Sequence, residues 1–180
     1  MQKVNPMKFL YVFITAILLT SCGASVAIDY DKKTDFDTIK TFQFYKAENT
    51  GLNDLDNRRI EIAVDSSLVA KGWQLTDYNQ FYIKYYVNEA LTSSRNTLGI
   101  GVGSGGGGIS VGGGVGIPIG PKQLEQELTI EVFQATANEP LVWQGSLVES
   151  ISERATPEQK EAHFTKMVFK ILAKFPPEKK

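Results

Sequence analysis

The sequence is poor in cysteine and histidine, the two residues that most often build reactive centres. It contains one of each, Cys22 and His163. A single cysteine cannot form an intramolecular disulfide, and this pair cannot assemble a zinc site of the His/Cys type. A Ser–His–Asp triad would have to use His163, and no G-x-S-x-G turn is present to serve it. We therefore predict a protein that is not an enzyme, with no catalytic residues, no metal and no cofactor.

An excess of charge of one sign is also missing. The chain has 19 Lys and Arg against 20 Asp and Glu, which gives a formal net charge of −1. Nucleic-acid binding requires a basic patch or stripe, so we expect no nucleic-acid partner. The charged and apolar fractions are those of an ordinary folded domain, and 180 residues suffice for one such domain with a real core.

Long apolar runs are absent except near the N-terminus, where Phe9 to Leu19 is almost continuously apolar. Eleven residues rising about 1.5 Å each cannot cross a hydrocarbon core of about 30 Å. Lys3 and Lys8 precede the run and small residues follow it, which is the pattern of a signal peptide. We predict a signal peptide over residues 1–21.

The segment Leu19-Thr20-Ser21-Cys22 resembles the lipobox of bacterial lipoproteins. The resemblance implies cleavage before Cys22, lipidation of its thiol with acyl chains such as palmitate, and acylation of the new N-terminus. Residues 22–24 would then be the lipidated N-terminus and a short tether. Two or three acyl chains make membrane attachment effectively permanent. The alternative is an ordinary signal peptide that happens to contain a cysteine.

The residues after Cys22 bear on where such a lipoprotein is sorted. Gly23, Ala24 and Ser25 include no aspartate, which by resemblance to known sorting rules favours the outer membrane. No acidic run follows to indicate surface export, so we predict the periplasmic face. The inner membrane and the cell surface remain alternatives.

The rest of the chain predicts an α+β fold: an antiparallel or mixed sheet of about five or six strands, with two amphipathic helices packed on one face. The first helix, Asp54 to Lys71, has Asn53 as its N-cap and Gly72 as its C-terminal signal. The second follows Thr156-Pro157-Glu158-Gln159, a capping box. Alternating segments predict strands at 25–30, 41–45, 81–90, 124–135 and 141–151. We assign residues 25–177 to a single domain and 178–180 to a polar tail.

The alternation also assigns residues to the outward face of the sheet. Tyr82, Tyr86 and Phe133 fall on that face and are candidates for a binding surface. The competing interpretation is that another part of the chain covers them or that they are simply exposed. Glu125, Glu127, Thr129 and Glu131 fall there too, and we expect them to be solvated.

Residues 99–120 contain twelve of the sixteen glycines. Gly101 to Gly106 fits G-x-G-x-x-G, but more glycine and then Pro118 follow where the dinucleotide fingerprint needs a helix, so we predict no nucleotide. One interpretation is a long flexible loop between two antiparallel strands. The other is a tip that extends the hairpin as a weak strand pair and touches lipid or a partner protein through its uncharged apolar residues. These are Ile100, Val102, Ile109, Val111, Val115 and Ile117.

Several motifs together resemble the bacterial lipoprotein family catalogued as domain of unknown function 4136. They are Asp29-Tyr30-Asp31 with Asp35 to Phe42, then Ala70-Lys71-Gly72-Trp73, Leu141-Val142-Trp143-Gln144-Gly145 and Phe175-Pro176-Pro177. The resemblance covers Ser25 to Pro177. Related sequences often have arginine where this chain has Gln144. The resemblance implies a small exported α+β domain with a lipid anchor, and it carries no catalytic residues.

These observations lead to a functional hypothesis with two rivals. We expect a membrane-anchored periplasmic lipoprotein that acts as a non-enzymatic binding or envelope-maintenance module, with the membrane and an envelope protein as partners. One rival is an accessory subunit of an envelope transport or assembly complex. The other is a hydrolase that uses carboxylates alone, which requires a cleft where two acids converge with raised pKa values.

Overall fold

A computed structural model of the chain describes residues 25–38, 40–45, 49–92, 97–98, 117–118 and 122–178. Six strands form one sheet in the order β1-β8-β7-β4-β2-β3, and β5 pairs with β6 separately. The strands are β1 (Ala27–Tyr30), β2 (Thr41–Phe44), β3 (Gln74–Leu75), β4 (Phe81–Thr92), β5 (Thr97–Leu98), β6 (Ile117–Pro118), β7 (Gln123–Gln134) and β8 (Leu141–Ser152). The helices are α1 (Asp54–Val69) and α2 (Pro157–Leu172). The predicted α+β class is confirmed.

The sheet is mixed because one of its connections is a helical crossover. Strand β2 leads into α1, and the chain then returns through β3 to β4, which lies parallel to β2. Parallel neighbours need such a crossover, whereas antiparallel neighbours can be joined by a hairpin. The other neighbours, β4 with β7, β7 with β8 and β8 with β1, are antiparallel.

Strands β4 and β7 form the long central ladder. Phe81 pairs with Gln134 at one end, and Thr92 pairs with Gln123 at the other. Further along the chain, Leu98 pairs with Ile117 with the same residue offset. Strands β5 and β6 therefore continue the register of the β4–β7 hairpin. The predicted turn at 138–140 joins β7 to β8 and holds Glu139 at a φ of 39°.

Both helix starts follow the sequence signals. The Asn53 side chain accepts a hydrogen bond from the Asp56 N–H at 3.0 Å, and α1 ends on Gly72 at a φ of 80°. Trp73 N–H donates to Leu68 O and Gly72 N–H to Val69 O, the pair of bonds that defines a Schellman motif. In α2, Thr156 and Gln159 form the complete capping box. Within the described residues, neither helix has the length and apolarity needed to cross a bilayer.

The core lies between the two helices and one face of the sheet. Strands β4 and β7 supply Ile83, Ile130 and Val132, all fully buried. The apolar stripe of α2, predicted from its spacing, is buried as well: Phe164, Met167, Val168, Ile171, Leu172 and the following Phe175. The opposite face of the sheet carries the candidate binding residues.

Candidate binding surface

Four apolar side chains form a patch on the face of the sheet opposite the helices. Tyr82 on β4 pairs with Phe133 on β7, which pairs with Leu141 on β8. The Tyr45 ring lies 5.7 Å from the Tyr82 ring and 6.3 Å from the Phe133 ring, between centroids. Tyr45 is 40% exposed and Leu141 44% exposed. We call Tyr45, Tyr82, Phe133 and Leu141 the outer patch.

Tyr86 lies on the same face but outside the patch. Between Tyr82 and Tyr86 comes the row in which Lys84 faces Glu131, with Nζ and Oε2 3.7 Å apart. The structure therefore brings together Tyr82 and Phe133 from the predicted surface and separates Tyr86 from them by an ion pair.

The expectation that the polar side chains of this face are solvated is wrong for two of them. Thr129 is only 3% exposed, and the Glu131 side chain is only 12% exposed. Both lie in the middle of the long central strand β7, whose neighbours β4 and β8 flank them on both sides. Alternation identifies the face of a residue, but the width of the sheet decides how much water reaches it.

Tyr45 is a patch residue that the sequence-based prediction does not include. The signal was available, because alternation along Thr41 to Tyr45 places Thr41, Gln43 and Tyr45 on one face. The sequence does not show which strand lies beside β2. Strand β2 lies beside β4 only through the crossover, and that pairing sets Gln43 opposite Tyr82.

A cleft opens beside the outer patch, between the end of β2 and the first two turns of α1. Its volume is about 620 Å³. One wall is aromatic, with Phe44, Tyr45 and Tyr85, and the other is polar, with Asp54, Asn57, Arg58 and Glu61; Thr50 completes the lining. We call it the β2–α1 cleft. Tyr45 belongs to both the cleft and the outer patch.

The floor of the β2–α1 cleft is a buried hydrogen-bonded tyrosine. Tyr85 is 4% exposed, and its hydroxyl donates to Glu61 Oε1 at 3.0 Å. Burial and the neighbouring Glu61 carboxylate raise the pKa of Tyr85, so its hydroxyl stays protonated and keeps donating to Glu61. Thr50 Oγ1 donates to Asn57 Oδ1 at 2.7 Å, which fixes the amide on the opposite wall.

A smaller cavity of about 200 Å³ lies between the start of α1 and the start of α2. Its lining includes Asp56, which is 4% exposed and binds Arg59 at 2.6 Å and Lys160 at 3.1 Å. Burial alone would raise the pKa of Asp56, but hydrogen bonds from Lys160, Asn53 and Arg59, with the Lys160 charge, hold it below its usual value. These contacts tie α1 to α2.

His163, the one histidine, contacts the side chain of Gln126 beside this cavity. Its Nε2 lies 2.9 Å from Gln126 Oε1, and the Gln126 amide donates in turn to Glu89. Burial lowers the pKa of His163, and Lys166 acts in the same direction while Glu149 opposes it. His163 therefore joins α2 to the sheet as a mostly neutral ring. Gln126 is 5% exposed on the face that alternation predicts to be apolar.

One aromatic residue from each motif behind the family resemblance lies in the core. The Phe175 ring lies 5.1 Å from the Trp73 ring, 5.0 Å from the Trp143 ring and 5.7 Å from the Phe36 ring, between centroids. Lys71 Nζ donates to the carbonyls of Leu172 and Phe175, and burial lowers its pKa. These residues are far apart in the sequence and contact one another in the structure, so their shared role is to stabilise the fold.

The predicted signal peptide at 1–21 and the tether at 22–24 lie outside the described residues, and so do two predicted functional sites. Cys22 is one. The other is the contact loop, of which Ile100, Val102, Ile109, Val111 and Val115 are not described, while Ile117 is described only as backbone of β6. Both stay predictions.

Comparison with solved structures shows which folds the chain is similar to. It matches a PDZ domain protein from Parabacteroides distasonis with a TM-score of 0.54 at 13% identity, over 98% of this chain and 42% of that one. It matches PelC from Paraburkholderia phytofirmans, solved as a dodecamer, with a TM-score of 0.50 at 11% identity, over 83% of this chain and 96% of that one. The chain thus spans less than half of the first protein and nearly all of the second.

Comparison with curated proteins gives no match. A family model does match, over residues 26–177, which is most of the chain and almost the whole of the predicted domain. The chain belongs to the family described as Domain of unknown function (DUF4136).

Proposed function

We propose that this protein is an exported lipoprotein, anchored at the periplasmic face of the outer membrane through Cys22, that binds an envelope partner without catalysing a reaction. The observation that carries the binding role is the outer patch. The helices cover one face of the sheet, and on the other face Tyr45 and Leu141 are each about two-fifths exposed. Aromatic residues concentrated in one exposed patch are typical of interaction surfaces.

The anchor is supported by the order of segments along the chain. The predicted lipidation site, Cys22, stands four residues before the matched domain begins at residue 26. The test is metabolic labelling with palmitate in the producing bacterium. Wild type should incorporate label and fractionate with membranes, whereas Cys22→Ser should do neither. Ser25→Ala, at the first residue of the predicted domain, serves as the control and should behave as wild type. Unlabelled wild-type protein would contradict the anchor.

The binding role is tested by site-specific photocross-linking in intact cells. A photoreactive residue at position 141 should give a discrete adduct, and Tyr82→Ala should reduce its yield. Tyr78 is the matched control because it is a tyrosine that is 92% exposed, in the β3–β4 loop and outside the outer patch. Equal yields in Tyr82→Ala and Tyr78→Ala, or the same adduct from position 78, would remove the outer patch as the binding surface.

A second candidate function is an accessory subunit of an envelope transport or assembly complex. It is favoured by the similarity in fold to PelC, whose structure is a dodecamer. The two proposals differ in stoichiometry. An accessory subunit should purify in a complex of fixed mass, with copies of itself or with one stoichiometric partner. A mass corresponding to one chain in mild detergent, measured by light scattering, would count against it.

We further propose that the apolar residues of the glycine-rich tract contact lipid or a partner protein. Two observations support this, although residues 99–116 lie outside the described part of the chain. Strands β5 and β6 keep the register of β4 and β7. In the sequence, glycine alternates with Ile100 and Val102 before the tract's centre, and with Val115 and Ile117 after it. Deleting residues 99–120 should weaken membrane association or partner recovery. Unchanged extraction and unchanged partners would contradict the contact.

The carboxylate hydrolase receives no support from the carboxylates with shifted pKa values. A general acid of that kind needs a raised pKa. The pKa values of Asp56, Glu149 and Glu158 are all lowered. Lysines 166 and 170 hold Glu149 at 2.8 and 2.7 Å, so this carboxylate serves to join α2 to β8.

A further inference from the structure

We infer that the β2–α1 cleft is a carbohydrate-binding site that takes a short stretch of a glycan. This goes beyond the proposed function, because the cleft is separate from the lipid anchor and shares only Tyr45 with the outer patch. The volume of about 620 Å³ falls inside the range of about 300–1,000 Å³ that is usual for small-molecule sites.

The two walls of the cleft differ in the way that a sugar ring requires. A pyranose has apolar C–H faces and a rim of hydroxyls, so it binds best between a flat aromatic side chain and groups that donate and accept hydrogen bonds. Tyr45 supplies an aromatic face that is 40% exposed. Its ring is held in place by an edge contact with Tyr82, at 90° between the ring planes, so little conformational freedom is lost on stacking.

The polar wall is one stripe of helix α1. Asp54, Asn57, Arg58 and Glu61 are spaced i, i+3, i+4 and i+7, so all four lie along the side of α1 that lines the cleft. The stripe offers both donors and acceptors, and a hydroxyl can use both at once. Within the described residues, the Asp54 and Arg58 side chains have no hydrogen-bond or ion-pair partner, so they are available to a ligand.

Other ligand classes fit the cleft less well. Among the described residues of the lining, two carboxylates, Asp54 and Glu61, flank the one cation, Arg58, which disfavours phosphates and other anions. An acyl chain would leave the whole polar wall unsatisfied. An added peptide strand finds no run of free backbone groups on β4, because Tyr45 N–H already donates to Ile83 O and Val87 N–H donates to Thr50 O, each at 2.8 Å.

The test is calorimetric titration of the full chain with two neutral tetrasaccharides, the β-1,4-linked oligomers of N-acetylglucosamine and of glucose. We expect one or both to bind. Tyr45→Ala should weaken binding about fivefold to tenfold, the effect of losing one stacked ring, whereas Tyr45→Phe should keep most of the affinity. Arg58→Ala, an exposed change on a helix surface, should weaken binding without affecting the fold.

Two exposed residues elsewhere provide matched controls. Tyr78→Ala and Arg154→Ala remove the same side-chain types from other parts of the surface and should leave binding unchanged. Thermal unfolding of each variant shows whether it still folds. If Tyr45→Ala does not fold, the tetrasaccharide affinity of Arg58→Ala provides the test. No heat of binding from either tetrasaccharide at millimolar concentration would overturn the inference. So would equal losses in Arg58→Ala and Arg154→Ala.

Discussion

At the scale of single residues, the informative positions are those whose surroundings the sequence does not reveal. Asp56 is identifiable from the sequence as an acidic residue in the first turn of α1. Its contact with Lys160, 104 positions away, is visible only in the fold. Gly145 is similar, because nothing around it in the sequence indicates that two side chains close over its α-carbon.

We predict that Asp56→Asn destabilises the protein by about 1–3 kcal/mol, since it removes the charge from a buried, hydrogen-bonded group. The pKa of Asp56 is lowered from 3.8 on folding, so its contribution is fully present above that pH. It is lost as the pH falls through the lower folded value. Urea unfolding at neutral and acidic pH should therefore show a weaker loss on acidification in Asp56→Asn than in wild type. Asp65→Asn, on the same helix, is the control and should retain the wild-type pH profile.

We predict that Gly145→Ala destabilises the protein by about 1–3 kcal/mol because the core has no room for a methyl group there. A Cβ at position 145 would lie 2.4 Å from the Trp143 ring and 2.8 Å from the Ile171 side chain. Gly72→Ala serves as a comparison in which the loss of stability has a different cause. No atom would lie within 4 Å of a Cβ at position 72, but a φ of 80° strains alanine by about 1–2 kcal/mol. In chemical denaturation, Trp143→Phe removes the Cη2 and Cζ2 atoms that lie nearest a Cβ at position 145, so it should relieve part of the Gly145→Ala penalty and none of the Gly72→Ala penalty. Equal relief of both would contradict the steric explanation.

At the scale of secondary-structure elements, the sequence predicted those features that depend only on neighbouring residues. Both helix starts and the Gly72 ending follow from a few neighbouring residues, and the sequence identified all three. Strand β3 has two residues and is held by parallel pairing to β2, more than thirty positions earlier, so no local pattern marks it. The same distance in sequence hid the place of β2 beside β4, and with it the role of Tyr45.

We predict that Thr156→Ala costs about 1 kcal/mol of stability by opening the capping box of α2. The Thr156 hydroxyl accepts from Gln159 N–H at 3.3 Å, and Gln159 Oε1 accepts from Thr156 N–H at 2.9 Å. Thr136→Ala removes an exposed threonine from the β7–β8 turn and should change stability by less than about 0.5 kcal/mol. Thermal unfolding of the two variants checks the difference, and equal effects would show that the cap is unimportant here.

At the scale of the whole molecule, the sequence predicted the layers but not the sites between them. Amphipathic patterns sufficed for a sheet with two helices on one face, and alternation placed Tyr82 and Phe133 on the other face. The β2–α1 cleft was not predictable, because its walls come from different elements that only the crossover brings together. The fold also fixes where the chain enters, since β1 runs antiparallel to β8.

We predict that, under the proposed anchor, the end of the sheet at Ser152 lies nearer the membrane than the turn at Asn138. Going back from Ala27, the chain heads along β8 toward Ser152, and the three residue steps from Ser25 to Cys22 reach at most about 11 Å. Fluorophores on Glu153→Cys and Asn138→Cys would be compared for energy transfer to labelled lipid headgroups, with Cys22 blocked by acylation. Transfer should be stronger from position 153. Stronger transfer from position 138 would contradict the predicted orientation, whereas an absence of palmitate labelling would contradict the anchor itself.

Strand β1 has a mechanical consequence under that anchor. It joins β8 through four residue pairs, Ala27 to Tyr30 with Ser146 to Trp143, and it is the first element after the tether. A load between the membrane and a bound partner would pull β1 lengthwise along β8. Ladder bonds perpendicular to the strands then resist in shear, so the four pairs share the force instead of breaking one after another. The pairing of this short strand would therefore set the tension at which β1 begins to separate from β8.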